Sequence, residues 1–150
     1  MNMSVEKQFS VFLVNKPGIL AQVCTALADR KINIRALTLV DSQEHGVLRL
    51  VVEDGKKTAD VLRAINIPVD ETEVLCVEMP NQPGAMADIC TRLGTKHINI
   101  NYAYCTTGTR GGRTLGVFKV ADIEKARKVL AQHKPASNAK KQTVRRSASR

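Results

Sequence analysis

Asn15-Lys16-Pro17-Gly18 and Asn81-Gln82-Pro83-Gly84 each set an amide side chain two residues ahead of a Pro-Gly pair, between an apolar run and a helical pattern. An asparagine amide both donates and accepts hydrogen bonds, so it can serve an ammonium or a carboxylate. Proline is favoured in a first helical turn because it lacks an N–H that would be orphaned there. Glycine lets a neighbour approach the backbone closely. Beyond Pro17, the amides of Gly18, Ile19 and Leu20 are expected to face outward at the positive end of a helix. Beyond Pro83, those of Gly84, Ala85 and Met86 are expected to do the same. A carboxylate or phosphate is stabilised at such a place. The same four residues also cap a helix without binding anything, and a duplicated cap is as natural as a duplicated site.

Asn33 and Asn99 form a second pair, each flanked by isoleucines at the opening of a strand-like run eighteen residues after the first asparagine. A turn hydrogen bond would account for either. A helix of about 13 residues lies between Asn15 and Asn33, which sets them roughly 20 Å apart at opposite ends of one unit. Within a unit they cannot share a small ligand. Antiparallel pairing of two units through their second strands would bring Asn33 to the Asn81 loop and Asn99 to the Asn15 loop, giving two equivalent sites between units.

Other reactive side chains point to less. Cys24 and Cys90 occupy matching positions on apolar helix faces and are expected to be core thiols. No C-x-x-C pair occurs, and His45, His97 and His133 are too dispersed for a zinc ligand set, so no metal site is expected. The run from Thr107 to Thr114 superficially resembles a phosphate loop but lacks the G-K-[ST] ending and precedes a strand, which suits a hairpin turn. Arg110 and Arg113 within it are either solvated turn residues or within reach of an anion. Tyr102 and Tyr104 share one strand face by alternation, as packing or as the wall of a pocket. No nucleophile–base grouping or carboxylate pair stands at catalytic spacing, so neither an enzyme nor a cofactor is expected.

The elements that must position these residues come from a duplication. Residues 15–34 and 81–100 align without a gap at an offset of 66, with ten of twenty positions identical. Phe9–Val14 reads as a buried strand. Leu20, Val23, Cys24 and Leu27 then mark a helical face. Ile32–Val40 and Gly46–Val52 read as strands, Lys57–Ile65 as a helix, and Ile67–Thr72 as a fourth strand running into Glu73–Met79. The second unit repeats the order with a helix from Gly84 to Lys96, strands Asn99–Cys105 and Leu115–Val120, and a helix from Ile123 to His133. Its fourth strand is missing from the pattern. The order β-α-β-β-α-β is the split ferredoxin-like arrangement. An α+β chain follows: two ferredoxin-like units with antiparallel sheets over residues 1–73 and 74–134, and a tail over 135–150.

The chain has 150 residues, 43% hydrophobic and 25% charged, which is globular composition. Its net charge of +9 is concentrated at the end: Lys134, Lys140, Lys141, Arg145, Arg146 and Arg150 occur without an acidic residue among them, leaving about +3 for the rest. Such a segment buries too little apolar surface to order itself, so residues from about Pro135 are expected to be disordered. Aromatic residues make up 3% and Trp is absent, which argues against base-stacking platforms. No apolar run reaches the roughly 18 residues that span a bilayer. Four cysteines without an export signal suggest reduced thiols and a cytoplasmic protein.

The N-x-P-G turn opening the first helix, together with I-N-I opening the second strand of a β-α-β-β-α-β unit, resembles the ACT domain, here twice over residues 8–133. The resemblance implies a free-standing pair of small-molecule sensing units, with an amino acid as effector and a homo-oligomer or a regulated enzyme as partner. It also implies that the loop asparagine of one unit and the strand-opening asparagine of its neighbour hold the effector: Asn15 and Asn81 for the loop, Asn33 and Asn99 for the strand. Some amino-acid-binding members carry a histidine two residues before the loop asparagine; Leu13 and Met79 stand there in this chain, so serine is not implied as the ligand. Two other readings remain from the residues. The basic tail would give salt-dependent binding to nucleic acid or an acidic partner, and a degenerate pair would serve as a ligand-free scaffold.

Overall fold

The alternation of Phe9, Val11 and Leu13 with Gln8, Ser10 and Phe12 makes a two-faced strand, and the same two-residue rhythm recurs through the chain. The computed structural model describes residues 2–14, 16–41, 45–106 and 112–132. Among the described residues, six strands and four helices occur in the order β1 (Met3–Val14), α1 (Ile19–Asp29), β2 (Ile34–Asp41), β3 (His45–Val52), α2 (Gly55–Ala64), β4 (Val69–Pro80), α3 (Ala85–Thr95), β5 (Ile100–Thr106), β6 (Arg113–Val120) and α4 (Ile123–Ala131). The basic tail lies outside the described residues.

All six strands form one antiparallel sheet in the order β2-β3-β1-β4-β6-β5. β4 is a single strand where sequence suggested two in succession. Its first half, Val69–Val74, completes unit one beside β1, and its second half begins unit two beside β6. The expected gap in unit two is filled by the start of the chain. Met3–Lys7 pairs with Glu73–Val77 and occupies the place that Val69–Glu73 occupies in unit one, 66 residues away. Met3 and Val5 pack on the unit-two core, as Val69 packs on that of unit one. Each unit therefore contains half of the other's long strand. The units join through β1 and β4, not through a ladder between their second strands.

One sheet face carries the helices. Phe9, Val11, Leu48 and Leu50 pack under α1 and α2 around Val23, Leu27 and Leu62. Leu75, Val77 and Phe118 pack under α3 and α4 around Ile89, Leu93 and Leu130. Asp54 and Asp122 start α2 and α4 alike, each accepting from the backbone N–H three residues on, Lys57 at 3.1 Å and Lys125 at 3.0 Å, as N-cap carboxylates do. Cys76 is the buried cysteine; Cys24 is half-buried, and Cys90 is exposed rather than in the core.

Among the described residues, the other face is buried without any helix. Val51, Val74, Cys76 and Val117 have almost no exposure and cluster with Ala36, Leu115 and Tyr104, all from strands. Six strands laid flat would span about 24 Å at the usual spacing, yet Cα atoms of the edge strands β2 and β5 approach within 8 Å. The sheet curls on itself like a nearly closed barrel with its helices outside. Interior side chains consequently bond across it. Gln8 on β1 donates from Nε2 to Tyr102 Oη (2.6 Å) and accepts from Tyr104 Oη (2.8 Å), both on β5. The Arg49 guanidinium on β3 lies 4.1 Å from the Tyr102 ring centroid.

Candidate functional site

The two N-x-P-G runs make the same backbone turn. Gly18 and Gly84 each have φ of 89° and immediately precede α1 and α3. Ile19 N–H donates to Lys16 O (3.4 Å) and Ala85 N–H to Gln82 O (3.3 Å). Proline second and positive-φ glycine third, closed by a bond from the fourth residue to the first, is the signature of a type II turn. The prolines thus lie in the turn ahead of each helix, not in its first turn as expected. Two of the amides expected to be free, those of Ile19 and Ala85, are used inside the turn.

Asn15 lies outside the described residues. Ile19 and Leu20 line a cavity of about 300 Å³ with Lys16, Leu39 and Asp41, all within unit one. In unit two, Asn81, Pro83 and Gly84 are exposed, Asn81 N–H donates to Gly112 O (3.1 Å), and Ala85 and Met86 pack against the core. Asn33 and Asn99 both use their carbonyls to tie down the start of a strand, accepting from Glu53 N–H (3.1 Å) and Ala121 N–H (3.2 Å). This turn role is common to both. Asn33 Nδ2 also donates to Glu53 Oε1 (3.1 Å).

Antiparallel pairing of β1 with β4 puts the Asn33 end of unit one beside the end of unit two that leads into the Asn81 loop. A second cavity of about 300 Å³ opens there, lined by Asn33, Arg35, Glu78, Thr106, Arg113 and Thr114, with Ile34 and Leu115 as its apolar members. The start of β2 contributes Ile34 and Arg35, with Asn33 just before it; Glu78 comes from the end of β4, Thr106 from the end of β5, and Arg113, Thr114 and Leu115 from the start of β6. A smaller cavity of about 130 Å³ shares Arg35, Glu78 and Leu115 with it and extends along the seam to Ser4 and Cys76.

The charges here are arranged in pairs. Arg35 is ion-paired with Glu6 across the curled interior. At the rim, Arg113 Nη1 lies 4.0 Å from Glu78 Oε2, which also accepts from Asn2 Nδ2 (3.4 Å). Cys76 Sγ is 4.0 Å from Glu6 Oε2; burial first, and then the Glu6 carboxylate, push its thiol up to about 12. Burial, with Cys76 and Tyr102 adding to it, likewise raises the Tyr104 hydroxyl above its ordinary range. Neither group is poised to ionise near neutrality, so the seam offers hydrogen bonds and fixed charge rather than a nucleophile.

Sequence reasoning singled out Asn33 and weighed Arg113, but missed Arg35, Glu78, Thr106 and Thr114. The available signal was a break in the repeat: Glu78 stands where unit one has Phe12, and Thr106 where it has Val40. Among the described residues no helix is long and apolar enough to cross a membrane.

Residues 3–145 match the family model described as an ACT domain pair. A Bacteroides thetaiotaomicron protein of solved structure is 32% identical, with a TM-score of 0.79 over 87% of this chain and 90% of that one. The regulatory subunit of aspartate kinase from Thermus thermophilus, in its ligand-free form, has the same fold at 17% identity, with a TM-score of 0.65 over 88% of this chain and 96% of its own. Its counterpart from Thermus flavus superposes with a TM-score of 0.59 at 17% identity, over 87% and 94% of the two chains. No curated protein matches the chain. The duplicated turn, the strand-opening asparagines, the two interleaved β-α-β-β-α-β units and the family match converge: the chain belongs to the ACT domain pair family.

Proposed function

We propose that this chain is a non-catalytic regulatory protein that holds a small amino-acid effector at the seam between its ACT units and signals occupancy to a metabolic enzyme or regulator. The observation that carries this reading is the shared cavity. Asn33 of unit one lines the same space as the strand ends of unit two that lead into the Asn81 loop, so a ligand there contacts both units at once. Binding at a seam couples occupancy to the relative orientation of the units, and a partner that reads that orientation completes an allosteric device. The likeness in fold to aspartate kinase regulatory subunits supports amino-acid metabolism as the setting. Site membership extends by the resemblance to Asn15, Pro17, Gly18, Ile19 and Leu20, to Pro83, Gly84, Ala85 and Met86, and to Asn99.

A thermal-shift screen against the twenty amino acids, confirmed by calorimetry, tests the proposal. An effector at a hundred times its dissociation constant stabilises the folded state by about 2.7 kcal/mol. We expect a clear shift with a small subset of amino acids, and its loss in the double variant Asn33→Ala/Asn81→Ala with the fold retained. Silence from the folded protein overturns the sensor reading, and unchanged affinity in the double variant overturns the site.

A further inference from the structure

The duplication predicts two equivalent seam sites, but the residues at the two ends differ in chemistry. The pairing register fixes the correspondence. Glu78 lies opposite Leu115, and Pro80 opposite Arg113; at the other end Phe12 lies opposite Val47, and Val14 opposite His45. Phe12 therefore takes the place of Glu78, Val40 that of Thr106, and His45 that of Arg113. Phe12 and Val40 are 38% and 47% exposed, so the second end presents apolar surface where the first presents a carboxylate and a hydroxyl.

An α-amino acid asks for one acceptor at its ammonium and one donor at its carboxylate. The first end has one of each at its rim, Glu78 and Arg113, 4.0 Å apart and with side chains 38% and 66% exposed. They are loosely coupled and free to part around a zwitterion. The other lining groups face what such a ligand carries beyond its α-carbon. Arg35 already has its carboxylate partner in Glu6, so the cavity does not call for a second ligand anion. Thr106, the buried Thr114 and Asn33 add neutral donors and acceptors, against two apolar members, Ile34 and Leu115. A site built to hydrogen-bond a substrate's polar group discriminates strongly against the analogue that lacks it. At about 300 Å³ the cavity lies at the small end of ligand sites.

Resting on the sensor reading above, we propose that each chain binds one effector, an α-amino acid with a hydroxyl or amide side chain, in the Asn33–Glu78–Arg113 cavity. Glu78 receives the ammonium, Arg113 the carboxylate, and the pseudo-equivalent end stays empty of it.

Isothermal titration of the full chain with serine, threonine, asparagine and glutamine, against leucine, valine, phenylalanine, aspartate and lysine, decides the matter. The expected result is a ligand from the first group, one per chain. Glu78→Gln and Arg113→Gln should each weaken it at least tenfold without shifting the unliganded melting temperature. Two sites per chain, preference for a ligand of the second group, or indifference to Glu78→Gln overturns this assignment while leaving the sensor reading intact. If none of the twenty amino acids binds the folded chain, both fail.

Discussion

Gln8 shows how one residue commits the interior of the curled sheet. Its side chain has no exposure, and a buried amide without partners would cost about 1–3 kcal/mol; Tyr102 and Tyr104 supply those partners from the far edge strand. Alternation placed the two tyrosines on one face in the sequence, but Gln8 was not legible as their partner. It lies in a polar run, and its contact depends on curvature that no local pattern encodes. The same enclosure predicts a pH response. Cys76 in the folded chain is pushed up to about 12 from 9.0, by burial first, and Tyr104 is raised as well. Above pH 9 the unfolded chain releases protons that the folded chain retains, so stability is full below that pH and falls as pH rises towards 12. The slope is at most about 1.4 kcal/mol per pH unit for each group. Urea midpoints between pH 7 and 10.5 should fall in the native protein and fall less steeply in Cys76→Val; equal slopes would remove Cys76 from the account. Thiol reagents should label Cys90 and Cys105, which are exposed, well before Cys76.

At the level of elements, the repeat made the helices and central strands readable to within a few residues, because each appears twice with the same apolar positions. Met3–Gln8 escaped because only Met3 and Val5 are apolar in it, and because its partners lie some seventy residues later, at Thr72–Val77. The Pro-Gly turns were read for the right residues but with the helix starting too early, since a type II turn and a capped helix share the same signal. Glu78 and Thr106 were overlooked for a related reason: a search for what the repeats share passes over what distinguishes them. The turn itself permits a clean test. A Cβ added at Gly18 or Gly84 would meet nothing within 4 Å, so Gly84→Ala probes backbone conformation alone. Holding an L-residue at a φ near 89° costs about 1–2 kcal/mol. Chemical denaturation should show a loss of that size, with the same m-value. A neutral substitution would mean that the turn relaxes to another conformation at no cost.

The molecule as a whole has no clean boundary between its repeats. Each unit's sheet is completed by half of a strand whose other half belongs to its neighbour, and the polar seam of Gln8, Arg49 and the two tyrosines crosses both. Opening unit two alone would strip Met3–Lys7 of its partners in β4 and uncover the interior face that Val51 and Val74 share with Val117. That penalty falls on unit one as well. Two domains merely tethered would unfold in separable steps, whereas these should unfold together, with calorimetric and van't Hoff enthalpies equal. Val5→Asp examines the coupling directly, since it places a carboxylate against the unit-two core from a strand contiguous with unit one. It should lower the melting temperature while preserving a single transition, and amide exchange should accelerate in β3 as well as in β6. A second transition, or protection lost only around β6, would show that the units move independently. Coupled units are also what the proposed sensor at the seam requires: a ligand bridging Asn33 and the Asn81 end would then act on a structure in which neither half responds without the other.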